Sequence, residues 1–291
     1  MRSETRDFFK GMAFISPWVI GFVVFTAVPV ALSVYYSFCQ YPFLQPPVAV
    51  GLENYAGLMH DKQFGQVLFN TAYYSILALP LGLAIALGVA LLLNTKIKGQ
   101  SIYRTIIFLP SLVPAVACAM LWLWLFNGKL GLINYVLRSI GFHDPPVWLG
   151  DVRTALPALV LMSFWGVGNT VVIFLAGLQD VPRELFEAAE LDGANRWQAL
   201  RHVTIPTISP VIFFNLVLGI IGSLQVFALP FIMTGGGPDR STRFYTMYLY
   251  DNVFLFLKVG YASAMAWVQL LIILALTGVA FLTSRKWVHY Q

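Results

Sequence analysis

The sequence predicts an all-α integral membrane protein with six transmembrane helices, and three observations predict it. Of the 291 residues, 58% are apolar and only 11% are Asp, Glu, Lys or Arg, against roughly 25% charged in an ordinary soluble domain. The mean hydropathy of +0.75 asks for lipid as solvent, because a soluble chain of this length needs charge to dress its surface. The 18 Lys and Arg and the 13 Asp and Glu are also unevenly placed: residues 11–52, 63–95, 105–128, 154–179, 202–238 and 259–284 contain none of them. About 20 apolar residues cross a ~30 Å hydrocarbon core, and each window holds such a stretch. The same composition excludes disorder.

The first span, about 13–38, follows the charged stretch from Arg2 to Lys10. Its apolar run outlasts the roughly 7–15 residues of a signal-peptide core and reads as a retained anchor. The second, about 67–94, carries Gly82, Ala86 and Ala90 on one face, small residues that let two helices approach closely. The third, fourth and fifth are drawn at about 104–126, 154–178 and 204–232. The sixth, about 261–283, repeats the small-residue pattern at Ala262 and Ala266. Together they make a single transmembrane domain over residues 1–291. Pro29, Pro80, Pro114, Pro157 and Pro210 lie in or at the ends of spans and predict kinks where neighbours satisfy the freed carbonyls.

With the N-terminus inside, the inside segments carry Arg2, Arg6, Lys10, Lys96, Lys98, Arg104, Arg183, Arg196, Arg201, Arg285 and Lys286, eleven of the 18 cations, and both termini are expected in the cytoplasm. The excess of five cations over anions then reads as a topology signal, and no nucleic-acid partner is predicted. The outside loops, about 39–66, 127–153 and 233–260, hold turn sequences and the interface-suited aromatics Tyr55, Trp148 and Tyr245. They either receive a partner or merely connect spans. Cys39 and Cys118 form no disulfide framework, and His60, His143, His202 and His289 have no metal-ligand spacing. No catalytic residues and no metal site are predicted, since the spans lack acid, base or metal clusters.

The inside segment between the fourth and fifth spans is more than a connector. Residues 180–206 hold eight charges, with Pro182, Glu184 and Glu187 suited to a helix start. Leu185, Ala188, Ala189 and Leu191 supply a small apolar face, and Gly193 suits a left-handed stop. Ala194 to His202 then reads as a second short helix, giving an elbow over about 182–203. Such an elbow can transmit a push from a cytoplasmic protein, with Glu187 available to a partner cation. It equally suits an amphipathic segment on the membrane surface or a cap on its own bundle, although its acidity argues against an anionic lipid surface.

Glu187-Ala188-Ala189, Asp192-Gly193-Ala194 and Thr204-Ile205-Pro206 resemble the "EAA" signature of permease subunits of binding-protein-dependent ABC importers, with Thr204 and Ile205 departing from the usual pair before the proline. Further stretches resemble the carbohydrate-uptake branch: Gly51 to Tyr55, Asn70-Thr71, Leu92 to Asn94, Tyr103 to Thr105, Phe108 to Pro110, Gly131 to Asn134, and Thr234 to Pro238 with Ser241-Thr242. The resemblance spans nearly the whole chain, and the Gly-Gly-Pro loop is similar to that of the first permease in maltose and glycerol-3-phosphate type systems.

This resemblance implies the type I ABC importer permease fold and a bacterial or archaeal inner membrane location. It implies a second permease as heterodimer partner, a pair of cytoplasmic ABC ATPases, an external solute-binding protein and a sugar-like solute. The chain has no phosphate loop, for Gly235-Gly236-Gly237 lacks the lysine, so it needs no cofactor of its own and ATP with Mg belongs to the ATPase. By resemblance Glu187, Ala188, Ala189, Asp192, Gly193 and Ala194 couple to that ATPase. Maltose-type permeases place substrate contacts near the equivalents of Trp165, Gly166, Asn169, Gly222, Ser223 and Val226. Ser163 and Thr170 in the fourth span and Gln225 in the fifth add polar groups at lipid depth. Each polar residue equally suits a hydrogen bond to a neighbouring helix. The residue types at Gly222 and Val226 differ from the maltose pattern and point away from maltose itself. A channel or an ion-coupled carrier is the alternative, and the charge-free spans count against both.

Overall fold

The computed structural model describes residues 2–95 and 98–289, and of residues 2–9 only the backbone. Lys96, counted above among the inside cations, lies outside the described residues. Four helices are long and apolar enough to cross a bilayer: Lys10–Ser37, Lys62–Leu93, Ser209–Thr234 and Val259–Ser284. Two bent pairs, Gln100–Leu112 with Ala115–Leu125 and Val152–Gly166 with Gly168–Gln179, bring the number to six when each pair is one span. The second span begins at Lys62, ahead of the sequence expectation. At 32 residues it is about 48 Å long and outlasts the ~30 Å hydrocarbon core, so its polar first turn continues the helix beyond lipid depth.

Prolines and bends coincide only in part. Pro80 sits within the continuous helix Lys62–Leu93, and Pro29 follows a widened π-type turn over Val23–Ala27. The third span turns by 98° between Leu112 and Ala115, at Pro114. The fourth turns by 47° around Val167, where there is no proline. A Cβ added at Gly168 would lie 2.8 Å from the Ile107 carbonyl oxygen and 3.1 Å from Phe108 Cα. The bend therefore follows from backbone-to-backbone approach, which only glycine permits there. The fifth span is interrupted at Gln225, Val226 and Phe227, with Phe227 at φ −141° and ψ −64°, before helix resumes over Ala228–Thr234.

The chain divides into two compact units. The first comprises Met1–Lys62 and Leu249–Leu271. Within it a short hairpin pairs Cys39–Gln40 with Val48–Ala49. Asn54 Nδ2 donates to the carbonyls of Ser37 and Cys39 at 2.9 Å, and the Tyr55 hydroxyl donates to Ser37 Oγ at 2.8 Å. The Tyr261 hydroxyl donates to Asp61 at 2.7 Å. No residue in the most apolar stretch of the first span is buried by the chain itself. Ala262 is buried but Ala266 is exposed, with Ala264 and Met265 buried instead, so the small-residue pair of the sixth span does not make one contact face.

The second unit comprises Gln63–Tyr248 and Ile272–Gln291. One apolar cluster joins Ala86, Ala90 and Leu93 of the second span to Val171, Phe174, Leu175 and Leu178 of the fourth. Another joins Ala119, Trp122 and Phe126 to Ala158, Leu159, Met162, Met233, Phe244 and Met247. The loop after the fifth span is fastened to the second. The buried Asn70 donates from Nδ2 to the carbonyls of Arg240 at 2.9 Å and Arg243 at 3.0 Å, and Thr71 Oγ1 accepts from the Tyr245 amide at 2.9 Å. Asn70→Ala removes both donations at a buried site and is expected to destabilise this unit by about 1–3 kcal/mol, read as a lowered melting temperature of the detergent-solubilised protein.

The three aromatics named for the membrane interface also make contacts within the chain. Tyr55 holds Ser37, and Trp148 donates from Nε1 to the buried Asn134 Oδ1 at 2.7 Å. Tyr245 is buried, which pushes its hydroxyl above the usual phenol range. Tyr55 and Trp148 each meet a polar group that fixes a loop, and the Tyr245 ring packs edge-on against Phe64, partners that hydropathy alone does not reveal.

Candidate functional site

The elbow begins with the helix Arg183–Leu191, preceded by Pro182 at φ −59° and ψ 135°. Pro182 thus stands one residue before the first turn, where its missing amide costs nothing. Phe186 packs against the apolar cluster of the second and fourth spans. On the opposite side Leu185 and Leu191 are exposed, Leu191 by 90%, together with Glu184, Glu187, Ala188 and Asp192. Gly193 closes the helix at φ +75°, with the Ala194 amide donating to the Ala189 carbonyl at 2.9 Å and the Gly193 amide to Glu190 at 3.0 Å. Those two bonds satisfy terminal carbonyls and require a left-handed residue at 193.

The second arm starts at Arg196, later than the expected Ala194. Asn195 caps it reciprocally: its Oδ1 accepts from the Gln198 amide at 2.9 Å while Gln198 Oε1 accepts from the Asn195 amide at 2.8 Å. Helix Arg196–Ala199 passes through a π-type turn over Leu200–Thr204 into Ile205–Thr207. Trp197 is 68% exposed on this arm. Of the six residues singled out in the elbow, Glu187, Ala188, Asp192 and Gly193 face outward. Ala189 and Ala194 turn inward to a groove shared with Asn94 and Thr204.

A cavity of about 410 Å³ opens among the second, fourth and fifth spans, within the 300–1,000 Å³ range of small-molecule sites. Gly166, Asn169, Gly222 and Ser223 line it, with Ser163 and Thr170. A Cβ at Gly166 or Gly222 would meet nothing within 4 Å, so both glycines leave open space at the wall. At Gly219, also in the lining, a Cβ would run into Leu79. Ser163 and Ser223 donate to carbonyls of their own helices at 2.6 Å and 3.3 Å, and the Ser163 hydroxyl also hydrogen-bonds Tyr74 beside it. Asn169 is exposed, and its side-chain amide makes no hydrogen bond among the described residues.

Three sequence candidates lie elsewhere. Trp165 stacks edge-on against Trp122 at 6.0 Å, Val226 packs on the apolar cluster around Trp122, and Gln225 is exposed at the break in the fifth span. The sequence reading missed Tyr74, Gly82 and Asn215, which also line the cavity. Gly82 had been grouped with Ala86 and Ala90, but it faces the cavity while the two alanines pack. Asn215 was detectable as a lone amide inside a charge-free window. Among the described residues no three His, Cys, Asp or Glu side chains cluster as a metal site, and both cysteines are free.

Comparison with known proteins places these features in a family. Residues 78–289 match the binding-protein-dependent transport system inner membrane component. The chain is 40% identical over 294 residues to the probable ABC transporter permease protein YesP of Bacillus subtilis, covering 100% of this chain and 95% of that one. It is 32% identical over 279 residues to the sulfoquinovosyl glycerol transport system permease protein SmoG of Agrobacterium fabrum, covering 95% and 90%. It is 30% identical over 282 residues to the trehalose/maltose transport system permease protein MalF of Thermococcus litoralis, covering 96% and 95%. Among solved structures, a bacterial ABC transporter involved in import of the acidic polysaccharide alginate superposes with a TM-score of 0.85 at 25% identity, over 98% of both chains. The same fold occurs at a TM-score of 0.86 and 25% identity in a bacterial alginate ABC transporter in complex with an alginate pentasaccharide-bound periplasmic protein, covering 98% of this chain and 96% of that one. The chain belongs to the inner membrane components of binding-protein-dependent transport systems, the non-catalytic permease subunits of ABC transporters.

Proposed function

We propose that this permease imports a sugar or sugar-like solute by alternating access, driven by a separate cytoplasmic ABC ATPase pair that binds ATP and Mg and engages the elbow at about 182–203. The observation that carries the reading is the elbow itself. Its outward face is rigidly capped, acidic at Glu184, Glu187 and Asp192, and apolar at Leu185, Leu191 and Trp197, with nothing from its own chain over it. Such a face suits a cleft that offers apolar walls and a cation. A pull on it passes into the fourth span through Arg183–Leu191 and into the fifth through Leu200–Thr204, the two spans whose residues line the cavity. On this reading the elbow and both termini are cytoplasmic, and the chain is a multi-pass protein of a bacterial or archaeal inner membrane.

The solute class rests on the cavity and on the relatives. Hydroxyls, a free amide at Asn169 and an aromatic phenol at Tyr74 provide the hydrogen bonds and ring face that a polyhydroxylated solute needs. The named relatives act on trehalose, maltose and sulfoquinovosyl glycerol, and the solved ones on alginate. A second permease completes a heterodimer, and an external solute-binding protein delivers the ligand to the face opposite the elbow. Neighbours co-purified with the tagged permease are expected to include an ATPase and a second permease. Full-rate solute uptake without any ATPase would overturn the reading. Asn169→Ala is expected to raise the half-saturating solute concentration by about tenfold, the cost of roughly one hydrogen bond to a polar ligand, with ATPase assembly retained. An unchanged uptake curve would make Asn169 structural.

A further inference from the structure

A second, smaller cavity of about 200 Å³ lies between the third and fourth spans, on the side of the fourth span away from the fifth. Leu93, Arg104 and Gln179 line it at the end nearest the elbow. Ile107, Phe108, Val171, Val172 and Leu175 line it deeper, one to two turns further along their helices. Arg104 lies at the centre of the inward face of Gln100–Phe108, flanked by Ile107 and Phe108. Its Nε is buried and has no hydrogen-bond partner. The opposite face of the same helix exposes Ile102, Tyr103 and Ile106, by 65%, 50% and 59%. This helix continues to Leu112 and then meets Ala115–Leu125 at 98°.

We propose that this cavity is a binding site for an anionic glycerophospholipid of the leaflet on the elbow side, its phosphate on Arg104 and Gln179 and an acyl chain along Ile107 and Val172. A cation and an amide at the interface end and a purely apolar wall below match a molecule that is charged at one end and hydrocarbon along its length. A free phosphate uses only the rim and leaves the floor empty. Arg104 brings to the rim a guanidinium whose Nε finds no acceptor within the chain. Val172, which is 45% exposed, gives the acyl chain a lateral exit to the bilayer. The occupied site wedges the third span against the fourth beside the elbow, so the lipid acts where coupling motion passes.

The test uses the assembled transporter, reconstituted in phosphatidylcholine vesicles with phosphatidylglycerol as the probe, then extracted gently and analysed by mass spectrometry for retained lipid. Arg104→Gln is expected to retain phosphatidylglycerol about fivefold less tightly, the effect of one interfacial cation, while Arg104→Lys retains part of it. Ile107→Trp keeps the charge but fills the floor, and it is expected to displace the lipid as well. Arg153→Gln, exposed in the first turn of the fourth span at its end away from the elbow, serves as a control and changes nothing. Equal retention by wild type, Arg104→Gln and Ile107→Trp overturns the proposal. Loss of lipid on adding inorganic phosphate, with Ile107→Trp behaving as wild type, also overturns it and identifies a phosphate-only site. The readout needs no transport, so it stands or fails independently of the solute reading.

Discussion

Replacing Glu187 with Lys is expected to leave the protein inserted in the membrane and to abolish both solute uptake and ATP hydrolysis stimulated by the solute-binding protein. Glu187 is exposed on Arg183–Leu191, on the flank next to Leu191 and about 100° around the helix from Phe186, which anchors the helix to its own spans. Surface substitutions of this kind rarely shift stability by more than about 0.5 kcal/mol, so the fold survives. At an interface the outcome is different. A carboxylate paired with a partner cation becomes a like-charge contact, and the loss of coupling is expected to exceed roughly thirtyfold. Glu187→Gln keeps the shape and some hydrogen bonding and is expected to fall between. Uptake assays in whole cells, normalised to membrane-inserted protein, measure both. Normal uptake by Glu187→Lys refutes the elbow as the coupling element.

The second large effect concerns the cavity. Gly222→Phe is expected to reduce uptake at least tenfold while the ATPase remains bound and its basal hydrolysis persists. A Cβ at 222 meets no atom within 4 Å, so a larger side chain enters the cavity of about 410 Å³ instead of forcing helices apart. Size grades the response. Gly222→Ala fits the open wall and transports close to wild type, whereas Gly219→Ala displaces the end of the Leu79 side chain, which also lines the cavity. Solute transport at the wild-type rate by Gly222→Phe would show that the route does not pass through this cavity.

The elbow was legible in the sequence because its signals are local. Pro182 at its start and Gly193 at its stop act within a few residues, whereas the reciprocal Asn195–Gln198 cap, which sets the second arm's start at Arg196, was not read from the sequence. The cavity was only half legible. Asn169, Ser223, Gly166 and Gly222 come together as a polar and small-residue pattern suggested, but Trp165, Gln225 and Val226 do not join them. Their neighbours in sequence share the cavity wall, yet the break at 225–227 and the turn at 164–166 rotate these three side chains elsewhere. Asn70 and Asn134 show the same limit, since each ties together carbonyls that no local pattern links to it.

From the amino-acid order alone came the lipid solvent, the apolar spans, and the elbow with its glycine stop. These depend on which residues tolerate hydrocarbon and on hydrogen bonds closed within one or two turns. Only the tertiary structure decided which small residues pack and which face open space, where the fourth span bends, and which side of the elbow is free. Gly82 and Ala86 are one turn apart with similar chemistry, and Gly168 bends a helix that Pro157 does not. The difference lies in what stands opposite each residue, and in a membrane, where lipid and protein are equally apolar, hydrophobicity does not distinguish the two.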